Sequence, residues 1–499
     1  MFGFLFRRFR PRLALVVGVV VGLAFGTTGL SALQGSASAR SHQSLGASHL
    51  TVSSGVTQAP ALPGAQSISS QDRIYTADQT SNTVTVINPA TNTVLGTIAL
   101  GDSRLTNVLG PQYLRAVDVH GLGLSRDGKY INVISVTTNT VTVVRTADNS
   151  IVSQTYVGRA SHEGFFSPDG KTVWVADRAL ARVDIVDALR GGVVGHINTA
   201  DGPSKVLFSP DGRYAYVDHI RSATIDIIKV SNRRVVGQVT GLADAFSSDE
   251  GLSADGTILW AAHKKSGQVS IIDVVNRRVT STLDTGPDTN HPNFVDTADG
   301  QYVYLTVGGL NETKVYRQDS ASAKPNYIGA VESSGVEPHG IWPSPDNTRI
   351  YVVNEHSDTV DVIDTASRKV VDTLNVGQEG QALIYVAGAV TDGSGEQNLG
   401  RQGLDKRIEN APVTVDQPGA SAAVTVRALT GLDMVEIMGR GLTPNASYTA
   451  SATFKGLQIP IVTFTTDGKG SAPQVLAFTQ FFGVYDIHSL TVRPTSPLS

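Results

Sequence analysis

Short apolar runs separated by polar turns fill most of the chain, and the turns recur with a fixed period. Asp127-Gly128, Asp169-Gly170, Asp211-Gly212, Asp255-Gly256, Asp299-Gly300 and Asp346-Asn347 give Asp-to-Asp spacings of 42, 42, 44, 44 and 47 residues. Asp-Gly and Asp-Asn tolerate positive φ, so each marks a hairpin between two strands. A β-rich run follows the turn: Thr172 to Ala176, Tyr214 to Val217, Ile258 to Ala261, Tyr302 to Thr306 and Ile350 to Val353. The next run alternates apolar with polar, as in Val84-Thr85-Val86-Ile87, Val183-Asp184-Ile185-Val186, Val269-Ser270-Ile271-Ile272 and Val360-Asp361-Val362-Ile363. A weaker run ends near glycine, as in Val370 to Gly377. With the run before each turn, this predicts four strands per repeat. One such unit cannot bury both of its faces, whereas radial stacking of several does. The period therefore predicts an all-β, seven-bladed β-propeller over residues 72–390.

The ends of the repeat array predict how the ring closes. The first repeat begins at Arg73-Ile74-Tyr75 with no inner strand before it, and an extra apolar run, Gln381 to Val390, follows the last. That run is expected to supply the missing inner strand of the first blade. A Gly-rich linker is expected over 391–411. A second β-rich module then spans 412–499, with Gly441 to Thr449 reading as a turn into a strand. This corner resembles those of immunoglobulin-like and fibronectin-like sandwiches.

The segment Ile350-Tyr351-Val352-Val353-Asn354, followed by Asp358-Thr359-Val360-Asp361-Val362-Ile363-Asp364, resembles the YVTN family of β-propeller repeat proteins. The resemblance covers roughly Asp72 to Val390 and implies a propeller. It implies little about function, because that family spans many exported proteins and related propellers include lactonases and electron-transfer enzymes.

Composition adds an address and removes several chemistries. Arg7, Arg8, Arg10 and Arg12 precede the apolar run Leu13 to Phe25 and the small residues Ala37-Ser38-Ala39. This pattern predicts a signal peptide over 1–39, then a Ser-, Ala- and Gly-rich spacer over 40–71. The expected location is secreted or attached to the cell envelope, without membrane insertion after cleavage. The chain has no cysteine, which removes disulfides, thiolate ligands and thiol nucleophiles. A net charge of -4 with both signs scattered argues against a nucleic-acid partner.

Topology places the candidate chemistry. In a four-stranded blade, the start of the inner strand and the loop after the second strand share one face of the disc. The Asp-Gly turns lie on the other. His120, His162 and His339 stand seven residues before a turn Asp, and His291 stands eight before one, so they are expected around the channel mouth. His219, His263 and His356 fall at or just past the end of a second strand on that same face. Asp249 and Glu250 take the corresponding start in the fifth blade. Convergent imidazoles with a carboxylate suit a small ligand, an anion or a divalent metal. The predicted ligand-binding set is thus His120, His162, Glu250, His291, His339, His219 and His263. His120, His162, His291 and His339 are the candidate metal ligands. The plainer reading is that the pairs His120-Gly121 and His339-Gly340 bond neighbouring backbone. Leu105 to Arg115 lengthens a loop on this face, as a lid or as a surface insertion.

No Gly-x-Ser-x-Gly elbow or phosphate-cradling glycine loop is present, and no catalytic residue is assigned. The reading favoured by the sequence is a ligand-binding or protein-interaction module, its partner a small molecule, an anion or an envelope protein. The alternative is an enzyme on the same face, either a lactonase-like hydrolase or a metal-dependent oxidoreductase.

Overall fold

Five of the six hairpin turns are fixed by a serine two residues before the aspartate, and Thr297 takes its place before Asp299. The hydroxyls of Ser125, Ser167, Ser209, Ser253 and Ser344 donate to the turn carboxylates at 2.6–2.7 Å. The same hydroxyls accept the backbone N–H five residues on, at 2.9–3.1 Å. The next position turns left-handed, with φ of 70–72° at Gly128, Gly170, Gly212 and Gly256 and 59° at Asn347. A side chain there would be strained, which is why glycine or asparagine follows the aspartate.

The computed structural model describes residues 66–100, 118–400, 409–411, 413–428, 433–479 and 486–495. The signal segment, most of the spacer and the Leu105 to Arg115 loop lie outside them. Seven four-stranded antiparallel sheets make the ring, and no α-helix occurs among the described residues. No helix there is long and apolar enough to cross a membrane. The inner strands are, in blade order, Gly380–Val386, Val119–Leu124, Ser161–Phe166, Pro203–Phe208, Asp249–Leu252, Thr289–Thr297 and Pro338–Pro343.

The first blade takes its inner strand from the far end of the array. Gly380–Val386 lies antiparallel to Arg73–Asp78, with Ile384 opposite Tyr75. The strand expected over Gln381 to Val390 thus begins one residue earlier and ends at Val386. Beyond it, residues up to Gly400 lie against the ring: Gly400 and Thr97 exchange backbone hydrogen bonds at 2.8 Å, and Asn149 donates to the Gly395 and Gln397 carbonyls.

In six of the seven blades a polar residue of the alternating third strand has a job that its period does not reveal. It bonds the loop that crosses from the preceding blade. Asp184 accepts the Gly158 N–H, Asp226 that of Ala200, Ser270 that of Ala243, and Asp361 that of Ser334, all at 2.8–3.0 Å. Thr85 does the same for Gly377 across the seam, and in the sixth blade Lys314 donates to the Thr285 carbonyl. A loop that runs under the disc face thereby satisfies backbone groups it would otherwise bury.

The C-terminal module consists of two four-stranded sheets. They share one apolar cluster that includes Val424, Val435, Ile437, Tyr448, Phe464 and Val492. At the expected corner, the Tyr448 hydroxyl accepts the Thr443 N–H at 2.9 Å.

Ile384 is 1% exposed in the closing strand, whereas Val371 on an outer strand is 56% exposed. Ile384→Ala is expected to lower unfolding stability by about 2–5 kcal/mol, against about 0.5 kcal/mol or less for Val371→Ala. Equilibrium urea unfolding of the two variants checks this, and equal losses would mean that the seam does not hold the ring.

Candidate functional site

The inner strands lose their regular register where the histidines stand. The pairing shifts between Val119 and Gly121, Ser161 and Gly164, Thr289 and Pro292, and Pro338 and Ile341. Such a bulge re-aims side chains that strict alternation would send to opposite faces. The glycines then let neighbouring strands close in. A Cβ on Gly121 would lie 2.2 Å from the His162 carbonyl oxygen, and one on Gly340 would lie 2.7 Å from that of Gln381.

The result is a continuous polar network at the mouth. His120 Nε2 and His162 Nε2 are 2.7 Å apart, so one proton lies between them. His120 Nδ1 meets Gln79 Oε1 at 2.8 Å, and His162 Nδ1 lies 3.1 Å from the Ser204 carbonyl. The rings of His291 and His339 pack edge to face at 4.7 Å. His291 Nδ1 is 2.9 Å from Asp249 Oδ2, and His339 Nδ1 is 2.6 Å from the Gln381 carbonyl. Lys205 Nζ lies 3.0 Å from Asp249 and 3.4 Å from Glu163. Arg178 donates to the Ser204 hydroxyl, and Lys264 pairs with Glu337 at 3.2 Å.

Burial sets the charge states. It holds His120, His162 and His339 well below the usual imidazole range, and the Arg178 charge adds to this at His120 and His162. It lowers His291 to about 3. All four rings are therefore neutral at pH 7. Burial pushes Asp249 up to about 6, with Lys205 opposing. Burial also works against the Lys205 ammonium, yet Asp249 and Glu163 outweigh it and raise its pKa.

Of the predicted residues, the structure brings His120, His162, His291 and His339 together. Asp249, rather than Glu250, joins them. The fifth-blade ladder runs without a shift, so alternation holds and consecutive side chains part. Glu250 is buried, with both carboxylate oxygens unbonded, and its strongest charged neighbour is Asp218. His219 and His263 are also kept apart from the mouth cluster. His219 bonds the Thr224 carbonyl and approaches Asp226, and His263 bonds the Ser270 hydroxyl, each within its own blade. His356 sits in a short turn, Glu355–Ser357, against Glu337 and Glu355. Sequence reasoning missed Glu163, Lys205 and Arg178. Glu163 directly follows a predicted histidine, and Lys205 lies in an inner strand, Pro203–Phe208, that has no histidine or carboxylate at its start.

Among the described residues, two groups offer three metal-ligating atoms within 4.8 Å of one another: Glu163, Asp249 and His291, and Glu337, Glu355 and His356. In the first group the Lys205 ammonium already balances the carboxylates.

Residues 136–375 match the family model described as lactonase, 7-bladed β-propeller. That stretch holds His162, Glu163, Arg178, Lys205, Asp249, His291 and His339, and leaves out His120 and the closing strand. No curated protein matches the chain. Solved structures with the same fold include the periplasmic gluconolactonase of Pseudomonas aeruginosa, at 18% identity over 63% of this chain and 99% of that one, TM-score 0.51. A candidate 6-phosphogluconolactonase of Bacteroides fragilis matches at 13% identity over 64% and 99%, TM-score 0.52. A protein of unknown function from Desulfotomaculum acetoxidans matches at 13% over 63% and 98%, TM-score 0.52. At these identities the likeness is one of fold. The chain is a seven-bladed β-propeller, and its family match is to the lactonase type.

Lys205→Met keeps the stem and removes the charge that Glu163 and Asp249 share. Stability at pH 7 is expected to fall by about 3–5 kcal/mol. Carboxyls raised in the folded state favour folding when protonated, and that contribution is lost as pH rises through their folded values. The defect should therefore shrink as pH drops below about 6, the Asp249 value. Denaturant unfolding at pH 5 and pH 7 measures it. A defect that does not change with pH would separate Lys205 from the carboxylates.

Proposed function

We propose that the chain is a lactonase-like hydrolase whose site is the histidine-rich mouth of the propeller. The observation that carries this reading is the 2.9 Å contact between His291 Nδ1 and Asp249. A carboxylate can only accept, so Nδ1 holds the proton and Nε2 keeps a lone pair in the mouth. Asp249 orients the ring, and burial keeps it unprotonated. His291 Nε2 then takes a proton from water while the water oxygen attacks the lactone carbonyl. The ring C–O bond breaks, and the leaving alkoxide recovers the proton from His291. The product is the hydroxy acid, equal to lactone plus water. Arg178 and Lys264 supply positive charge to the mouth, where negative charge develops on the carbonyl oxygen.

The lactonase family match supports this over a pure binding module, since it covers His291, Asp249, Arg178 and Lys264. The substrate class is a small lactone. Export through the N-terminal signal is part of the proposal and is in keeping with the periplasmic source of the Pseudomonas gluconolactonase.

With gluconolactone as probe and spontaneous hydrolysis subtracted, His291→Ala is expected to lower kcat/KM by about 10²–10⁴-fold. Protonation of Asp249 releases the His291 ring, so kcat/KM of the parent should fall as pH drops through about 6. The limb should be missing in Asp249→Asn. Unchanged hydrolysis in His291→Ala would exclude this base.

A further inference from the structure

Two imidazoles at the rim aim Nε2 at a single carboxylate. His339 Nδ1 lies 2.6 Å from the Gln381 carbonyl oxygen, which only accepts, so the ring proton is on Nδ1 and the lone pair on Nε2. That lone pair faces Glu355 Oε2 at 4.0 Å. Glu355 Oε2 is itself buried and accepts no hydrogen bond, although the Gln381 amide bonds the same carboxylate. His356 differs: burial opposes its charge, yet Glu337 and Glu355 outweigh this and raise its pKa to about 9, so it stands as the imidazolium, and an ion would take the place of its Nε2 proton. Its Nδ1 is 3.1 Å from Glu337 Oε2, and its Nε2 is 3.7 Å from Glu355 Oε1. His339 is 8% exposed, so water does little to separate its lone pair from the carboxylate.

Lys264 and the His356 imidazolium offset the carboxylate charge here, but neither bonds Glu355 Oε2, which is left facing the His339 lone pair, and two facing acceptors repel. With metal–ligand bonds of about 2.0–2.2 Å at the tetrahedral angle, ligand atoms stand about 3.3–3.5 Å apart, so the 4.0 and 3.7 Å separations would close by a few tenths of an ångström on binding. The outer partners are also of the right kind. A metal-bound histidine donates its other N–H to a backbone carbonyl or a carboxylate, which is what Gln381 and Glu337 provide. Glu337, Glu355 and His356 already hold ligand atoms within 4.8 Å of one another.

We propose that this rim binds one divalent ion of the zinc, cobalt or iron(II) class through His339 Nε2, His356 Nε2 and Glu355, with Glu337 and the Gln381 carbonyl as outer partners. Two histidines and one carboxylate leave coordination positions open. Only His339 comes from the four-histidine set singled out in the sequence. The site stands without the hydrolase reading, because binding needs no reaction.

Titration of Co²⁺ into the full chain, followed by visible absorption and by displacement with Zn²⁺, tests it. One ion per chain is expected. His356→Gln and Glu355→Gln should each weaken binding at least about 100-fold, and Glu337→Gln about 10–100-fold. His162→Ala should stay within about threefold of the parent, since it is no ligand. Melting curves of the metal-free variants separate misfolding from lost binding. If Glu355→Gln does not fold, the more exposed His356→Gln decides. No saturation at millimolar Co²⁺, or parent affinity in His356→Gln, overturns the site. Equal losses in His162→Ala and His356→Gln would move the ion into the four-histidine mouth and overturn it too.

Discussion

The pairing of Gly380–Val386 with Arg73–Asp78 is the constraint on which the rest depends. It does more than seal the disc. The Gln79 and Thr80 N–H groups donate across it to the Glu379 and Gln378 carbonyls, which seats Gln79 where its side chain holds His120. The same strand offers the Gln381 carbonyl that fixes the proton on His339. Two of the four mouth imidazoles thus take their orientation from residues at opposite ends of the repeat array. An open ring would leave both without partners, whatever the state of the remaining blades.

The site arises from local irregularity laid on a regular frame. Seven inner strands with strict alternation would send every second side chain to the other face. Four register shifts break that rule where the histidines stand, and close strand approach at glycine brings the rings into contact. The frame also removes water, and the loss of water sets the charge pattern. The imidazoles become neutral and Asp249 titrates near 6, while Lys205 remains charged because two carboxylates surround it. Neutral imidazoles and a fixed cation thus stand side by side at neutral pH.

Much of this was legible in the chain. The Asp-Gly period gave the blade length, and the unmatched run after the last repeat gave the seam to within a few residues. Counting back from each turn aspartate found the four mouth histidines. The count failed at Glu250, because it assigned a pair of adjacent residues to one face while the fifth strand, lacking a bulge, separates them. It also grouped His219 and His263 with the mouth, since position along a strand does not reveal that a third-strand neighbour will take the ring. Lys205 and Arg178 were invisible for another reason. Each matters only through residues of adjacent blades, at separations such as the 44 residues between Lys205 and Asp249.

The bonds between third-strand polar residues and crossing loops bear on how such rings change size. Each fastens the incoming loop to the blade it enters, Gly158 to Asp184, Ala200 to Asp226 and Gly377 to Thr85, while Asn139, Asn311 and Asp358 hold the same kind of loop from the blade it leaves. A duplicated repeat would therefore arrive with both anchors, one for the loop that enters it and one for the loop that leaves it. Insertion or loss of a whole unit is cheap at every joint, and the number of units is limited instead by the curvature at which the two chain ends can still meet.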